Sequence, residues 1–270
     1  MKKHILTVAG SDPSGGAGIQ ADLKTITCLG GYGMTVITAL TAQNPREVRA
    51  IHQVPIDFFT SQLDAVMEAI HVDAIKTGML PNRECIELVA GRIGKHGVNV
   101  TVIDPVVVAE SGARLIDEQA LAALVRTLLP RAGLVTPNLA EASLLSGMTV
   151  ATPDDMKTAA KRIRDLGPHA VLVKGGHLDS DELIDILLDD SGFHEFRSER
   201  IPSKAVHGTG CTLASAIATL WALEGSLTLA VKKAKSFLTQ AIRGGVILGE
   251  GPGTPDQTAF LPIEEARERL

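Results

Sequence analysis

A two-part pattern constrains this chain most: a short β-branched apolar run, then a longer stretch with apolar residues at helical spacing. Ile5-Leu6-Thr7-Val8-Ala9 opens it, and Ile19 to Leu29 follows as a helix stopped by Gly30-Gly31. The strand signal returns at Met34 to Ala42, Ala74-Ile75-Lys76, Val100 to Ile103, Leu134-Val135 and Ala170 to Val173, with Val48 to Val54 as a short extra strand. Helices fit over Pro55 to Ile70, Cys85 to Ile93, Gln119 to Leu129, Leu139 to Ser146 and Asp154 to Leu166. In the first of these, Pro55 opens the helix and Phe58, Phe59, Leu63, Val66 and Ile70 stand at helical spacing. Glu182 to Leu188 and Phe193 to Phe196 form a late hairpin around Asp189-Asp190-Ser191-Gly192. Closing helices are expected over Gly210 to Glu224 and Leu227 to Leu248. Strands alternating with helices predict parallel βαβ units with both sheet faces covered. The expected fold class is therefore α/β with a mostly parallel central sheet. With 270 residues and no repeat, linker or charge block, residues 1–270 are expected to form a single domain.

Composition removes several functions. A net charge of −5 gives no broad basic field, so no nucleic-acid partner is expected. Cys28, Cys85 and Cys211 make no CxxC pair, which points away from disulfides and zinc and toward a reducing compartment. The apolar run ending at Gly10 is too short for a signal-peptide core, and nothing approaches the roughly 20 apolar residues of a membrane span. A cytoplasmic protein with no membrane partner is the expectation.

In an open parallel sheet, ligands bind beyond the carboxyl ends of the strands. Small and polar residues cluster at those ends: Gly10-Ser11-Asp12-Pro13-Ser14-Gly15-Gly16-Ala17-Gly18, Thr77-Gly78-Met79, Asp104-Pro105, Thr136-Pro137-Asn138 and Lys174-Gly175-Gly176-His177. The first is neither a Walker A motif nor a good dinucleotide fingerprint, and a tight strand-to-helix turn is its plain reading. Asp22, in the helix that follows, reads as a solvated residue. His207-Gly208-Thr209-Gly210-Cys211-Thr212 precedes the apolar run Leu213 to Leu223. Backbone N–H groups at such a helix start, with the helix dipole, form an anion site able to stabilise a phosphoryl group in flight. A glycine-rich cap is the alternative. Cys211 lies inside the turn, where a helix N-terminus favours a thiolate with a lowered pKa; an apolar packing role is the other reading. Asn138 and Glu141 stand one turn apart and suit a hydrated Mg²⁺, or an N-cap with its capping-box acid, or both. Asp104 is a second metal-side candidate or a turn residue.

These pieces together resemble the ribokinase-like vitamin kinases, and most specifically the hydroxymethylpyrimidine kinase family. The match is densest from Ala9 through Thr25. It continues at Thr38-Ala39-Leu40-Thr41-Ala42-Gln43-Asn44, Lys76-Thr77-Gly78-Met79-Leu80, Asp104-Pro105-Val106 and Thr136-Pro137-Asn138-Leu139, and it ends at the Lys174 and His207 motifs. The resemblance implies a three-layer αβα ribokinase-like fold with a mostly parallel central sheet, ATP as donor, Mg²⁺ as cofactor, and two transfers: hydroxymethylpyrimidine to its monophosphate, then to its diphosphate. It implies an anion hole at Gly208, Thr209, Gly210 and Cys211, with Cys211 as catalytic base. It implies a pyrimidine held by Gln43 and Met79, with Gly10, Asp22 and Val106 nearby, and Lys174 and Thr209 beside the ATP phosphates. A homodimer is a frequent form of the family.

Gln43 has a chemical rationale too. A 4-aminopyrimidine edge offers an N–H donor beside a ring-nitrogen acceptor, and a side-chain amide offers the reverse pair. A surface loop residue ahead of Asn44-Pro45 is the alternative. Three positions depart from the family pattern: Glu110 where lysine is common, Pro45 for a usual threonine, and Ile184 for a frequent tyrosine. Three other functions compete. A related cysteine-containing pyridoxal kinase shares the fold. A non-catalytic pyrimidine or nucleotide sensor has no need of an anion hole. An NAD-dependent dehydrogenase lacks its fingerprint at the first strand.

Overall fold

Strand β1 (His4–Ser11) alternates its apolar residues between two cores, with Ile5 on one side of the sheet and Leu6 and Val8 on the other. The structure is a computed structural model that describes residues 2–44, 46–107, 116–176 and 182–261. Among these, β1 joins β2 (Tyr32–Gln43), β3 (Val48–Gln53), β4 (Ala74–Thr77), β5 (Val100–Ile103), β6 (Leu134–Val135), β7 (Ala170–Val173), β8 (Glu182–Asp189) and β9 (Gly192–Glu199). They form one sheet in the order β3-β2-β1-β4-β5-β6-β7-β8-β9. Pairing is parallel from β2 through β7; β3, β8 and β9 add antiparallel edges.

Helices α1 (Gly18–Cys28), α7 (Thr209–Glu224) and α8 (Leu227–Arg243) cover one face, packing Ile26, Ile217 and Val231 onto Ile5, Val102 and Leu134. Helices α2 (Ile56–Met67), α3 (Arg83–His96), α4 (Glu118–Ala123), α5 (Leu139–Ser146) and α6 (Pro153–Arg164) cover the other, packing Phe59, Ile86 and Ile163 against Leu6, Ile75 and Val135. The result is the three-layer αβα arrangement with a mostly parallel sheet.

Three expectations need correction. The last helix ends at Arg243 and not Leu248. The Gly244-Gly245 pair breaks it, and Val246 bridges to Thr254 instead. Helix α2 buries Phe59, Leu63 and Met67, whereas Phe58 and Ile70 face solvent, because the inward stripe follows a spacing of four. The helix expected over Gln119 to Leu129 is α-helical only to Ala123, then continues as a π turn over Leu124–Leu128 and a 3-10 turn over Leu129–Arg131. Pro130 supplies no N–H to close an α turn there. Pro45, Glu110 and His177 lie outside the described residues. No helix among the described residues is long and apolar enough to cross a membrane.

Candidate active site

The chain runs from β1 to β2 on one side, then crosses to β4 on the other, so the crevice at the carboxyl end of β1 is the topological switch point. Gly10 sits where the β1–β2 register shifts between Ala9 and Ser11. A Cβ at Gly10 would lie 3.7 Å from the Ala39 carbonyl and 3.8 Å from Met79 Sδ, so Gly10 and Met79 share one wall. The Thr38 hydroxyl donates to the Met79 carbonyl at 2.7 Å and fixes that wall. The Thr77 hydroxyl, at the end of β4, is buried without a hydrogen-bond partner among the described residues.

Two glycine-rich turns meet above the crevice. In the first, the Asp12 carboxylate accepts from Ser14 N–H, Ser14 Oγ and Ala17 N–H at 2.7–2.9 Å and from His207 Nε2 at 2.9 Å. Burial alone raises the Asp12 carboxyl; the His207, Ser14 and Ala17 bonds outweigh it and bring its pKa down to about 2. In the second, Gly208 has φ 84°, and a Cβ there would lie 1.8 Å from the Gly16 carbonyl. Only glycine fits, on both counts. Helix α7 starts at Thr209, and Thr212 N–H already bonds the Gly208 carbonyl. The N–H groups of Gly210 and Cys211 therefore precede the first intrahelical bond and point out of the helix start. The Gly210 Cβ position is 3.5 Å from Lys174 Nζ and 3.6 Å from Asp104 Oδ2, so this turn, the end of β5 and the end of β7 converge.

Cys211 corrects an expectation. Its thiol pKa is raised to about 11, not lowered. Burial is the main cause; Lys76 and the Gly18 N–H on its sulfur pull down, while the Asp22 and Asp104 carboxylates push up. Desolvation of the thiolate and two nearby anions exceed what a helix start and one lysine supply.

Asp22 is not solvated. Its carboxylate is fully buried and accepts from Lys76 Nζ at 2.8 and 2.9 Å, Thr7 Oγ1 at 2.5 Å and Ser215 Oγ at 2.7 Å. With its oxygens taken up by protein groups, it forms the floor of the site, tying α1 to β1, β4 and α7. Burial pulls the Lys76 ammonium down, but Asp22, Cys211 and Asp104 more than offset it, and it stays above an ordinary lysine. Lys76 received no role from the sequence. A charged residue inside Ala74-Ile75-Lys76-Thr77, a strand buried throughout, was the signal for it.

Asp104 Oδ1 accepts from Lys174 Nζ at 2.9 Å and Thr136 Oγ1 at 3.0 Å, leaving Oδ2 turned toward Gly210. Asn138 and Glu141 form a capping box at the start of α5: Glu141 N–H donates to Asn138 Oδ1, and Asn138 N–H to Glu141 Oε2, both at 2.9 Å. Glu141 Oε1 also accepts from Val107 N–H at 3.2 Å. Its pKa is raised, chiefly by burial and further by Asp104, against the pull of Lys174. That bond pins the loop after β5, where Val106 has φ 46°, strained for a β-branched residue. No group of three or more His, Cys, Asp or Glu among the described residues forms a metal cage. Mg²⁺ needs no such cage, since it keeps several waters and takes one or two carboxylates plus phosphates. Asp104 Oδ2 fits that demand directly, and Glu141 and Asn138, whose oxygens already accept backbone N–H groups, fit it through water.

Gln43 ends β2 with its amide between Thr41 Oγ1 at 3.3 Å and His207 Nε2 at 3.4 Å. His207, like Asp12 quoted in a motif but given no role, thus links Gln43 to the turn that starts α7.

The phosphomethylpyrimidine kinase family model matches residues 12–256. The chain belongs to that family. It is 50% identical over 98% of its length to the thiamine biosynthesis bifunctional protein ThiED of Geobacter sulfurreducens, of which it spans 54%. It is 42% identical to the hydroxymethylpyrimidine/phosphomethylpyrimidine kinase of Bacillus subtilis, with 94% of each chain covered. Among solved structures, the pyridoxal kinase of Staphylococcus aureus in complex with ADP superposes with a TM-score of 0.91 at 37% identity, covering 97% of this chain and 96% of that one. Membership in the phosphomethylpyrimidine kinase family makes the chain a kinase with a ribokinase-like fold.

Proposed function

We propose that this chain transfers the γ-phosphoryl group of ATP to the hydroxymethyl group of 4-amino-5-hydroxymethyl-2-methylpyrimidine, and then to the resulting monophosphate, in thiamin diphosphate biosynthesis. The observation that carries the reading is the convergence of the Gly208–Cys211 turn, Lys174 and Asp104 beside the switch-point crevice. Phosphoryl transfer through a loose transition state depends mostly on positioning and charge stabilisation. The N–H groups of Gly210 and Cys211, with Thr209 beside them, receive the moving phosphoryl oxygens. Lys174 turns from Asp104 to the phosphates. Asp104 and Glu141, at the cap Asn138 builds, hold Mg²⁺, which neutralises phosphate charge when bound. The pyrimidine lies between Gly10, Met79 and Val106 with its amino edge on Gln43, and Asp22 acts from below through Lys76.

Cys211 accepts the hydroxyl proton. Its raised pKa makes the thiolate scarce at neutral pH and strongly basic once formed, so kcat rises with pH toward about 11. A flat kcat across the alkaline range, or near-normal turnover of Cys211→Ala, removes that role.

The likeness to a pyridoxal kinase favours a second acceptor, pyridoxal, on the same machinery. Purified protein with ATP and Mg²⁺, offered the pyrimidine alcohol, its monophosphate and pyridoxal in parallel, decides between them. Turnover of the first two with pyridoxal poor supports the proposal; pyridoxal alone overturns the use made of Gln43. A cytoplasmic homodimer belongs to this proposal too. Strand β3 supports the dimer, because it is exposed along all 6 of its residues and carries Val48 and Ile51 at an open edge beside Leu40. Light scattering tests it.

A further inference from the structure

The hydrogens around Gln43 decide which way its amide points. His207 Nε2 lies 2.9 Å from Asp12 Oδ2, and a carboxylate there requires Nε2 to carry the proton. Nε2 then has no lone pair for the Gln43 NH₂ placed 3.4 Å away: donor faces donor. At the other end, the single Thr41 hydroxyl proton goes to the Ser11 carbonyl at 2.9 Å. The Gln43 oxygen 3.3 Å from that hydroxyl therefore faces an acceptor. Exchanging the amide O and N resolves both conflicts at once. Oε1 then accepts a second, longer branch of the His207 Nε2–H bond, and Nε2 donates to Thr41 Oγ1. The ring itself is held in place: a Cβ at Gly16 would come within 2.6 Å of His207 Cδ2, and the Asp12 carboxylate is anchored by Ser14 and Ala17.

We propose that His207, fixed by Asp12, is a positioning residue for specificity: it locks the Gln43 amide with its oxygen on the His207 side and its nitrogen on the Thr41 side. This rests on the reading of Gln43 as the pyrimidine contact. The locked oxygen receives the 4-amino group next to His207, and the remaining N–H reaches the ring nitrogen on the far side. His207 immediately precedes Gly208, so the amino group lies toward the anion turn. The hydroxymethyl group is on the ring carbon adjacent to the one bearing the amino group. The same lock therefore delivers the reacting hydroxyl to Cys211 and not away from it. A 4-oxo pyrimidine presents the opposite donor and acceptor order, binds only if the amide turns over, and is rejected while the lock holds.

The test compares kcat and KM for the 4-amino substrate and its 4-oxo analogue in the wild type, His207→Gln, His207→Leu and Gln43→Leu. Glutamine keeps a donor near the Nε2 position, so His207→Gln retains discrimination. His207→Leu loses it by about 10- to 100-fold, mainly in KM and with the oxo analogue gaining, because the freed amide serves either edge. Equal weakening of both substrates in His207→Leu, while Gln43→Leu loses discrimination, overturns the lock. An unchanged KM in Gln43→Leu overturns the pyrimidine contact and the specificity role together. Should His207→Leu fail to fold, ¹⁵N-glutamine-labelled wild type gives an independent answer. The Gln43 NH₂ signal, assigned by its loss in Gln43→Leu, shows cross-relaxation to Thr41 if the lock exists and to the His207 ring if it does not.

Discussion

Lys76 and Asp22 close an ion pair at 2.8 Å with both side chains at 0% exposure, whereas Lys174 and Asp104 close one at 2.9 Å with 15% and 5% exposed. Both pairs stand at carboxyl ends of the same sheet, and both lie close enough to Cys211 to act on its charge or be acted on by it. They differ in how the carboxylate is finished. Asp22 is surrounded by Lys76, Thr7 and Ser215 and has nothing to offer a ligand. Asp104 takes both of its bonds on Oδ1 and turns Oδ2 to the Gly208–Cys211 turn. An ion pair becomes structural or exchangeable through the number of its satisfied lone pairs, not through the residue types that make it.

Removing the cation should separate the two pairs most clearly. Lys76→Met leaves a buried unpaired carboxylate and should cost about 3–5 kcal/mol in urea denaturation, with Lys76→Met/Asp22→Leu recovering most of it. A neutral single variant breaks the comparison, since the floor is then not sealed. Cys211 reports on both pairs at once. With Cys28 and Cys85 replaced by alanine, its alkylation by iodoacetamide at pH 8 should run about 100-fold slower than an ordinary thiol's, following a pKa raised from 9.0 to about 11. Asp104→Asn should quicken it by removing one of the carboxylates that oppose the thiolate. An alkylation rate typical of an activated cysteine contradicts the burial account.

Lys174→Met should act on function and not on folding. We expect kcat/KM for ATP to fall about 30-fold, from loss of a charge-assisted phosphate contact, while the urea midpoint moves far less than in Lys76→Met. A large loss of stability instead places Lys174 with Lys76. The pair His207–Asp12 falls between these cases. The folded-state pKa of Asp12, about 2 against 3.8, is depressed, so its contribution is present above pH 4 and lost as pH falls toward 2. The wild type should therefore lose about 1–2 kcal/mol more than Asp12→Asn across that window in acid-dependent denaturation. Parallel curves leave Asp12 without a folding role.

The contrast also marks where sequence stops being informative. The order of elements is legible because period-2 and period-3.6 patterns are local, and β5, β6, α5 and β7 fall where the pattern puts them. Rim residues are legible as turn chemistry and through the family motifs. What sequence leaves open is partnership across the chain. Nothing local tells that Asp22, on an amphipathic helix, faces inward onto a lysine 54 residues away. Nor does a helix start reveal that Cys211 is desolvated and flanked by two carboxylates, which reverses the direction of its pKa. The overrun of α8 is of another kind: the apolar pattern continues through Val246-Ile247-Leu248, but Gly244-Gly245 ends the helix and those side chains stay substantially exposed.

The seating of Gly208 against the Gly16 carbonyl has a consequence for how the protein is made. The loop after the first strand and the turn before α7 complete one another, and Asp12 and His207, which join them, are 195 residues apart. During synthesis the early strands emerge and begin to pair long before the later turn leaves the ribosome. A nascent chain therefore builds most of its sheet while the loop after β1 still lacks its complement, and that loop reaches its final seating only once the Gly208 turn has been made.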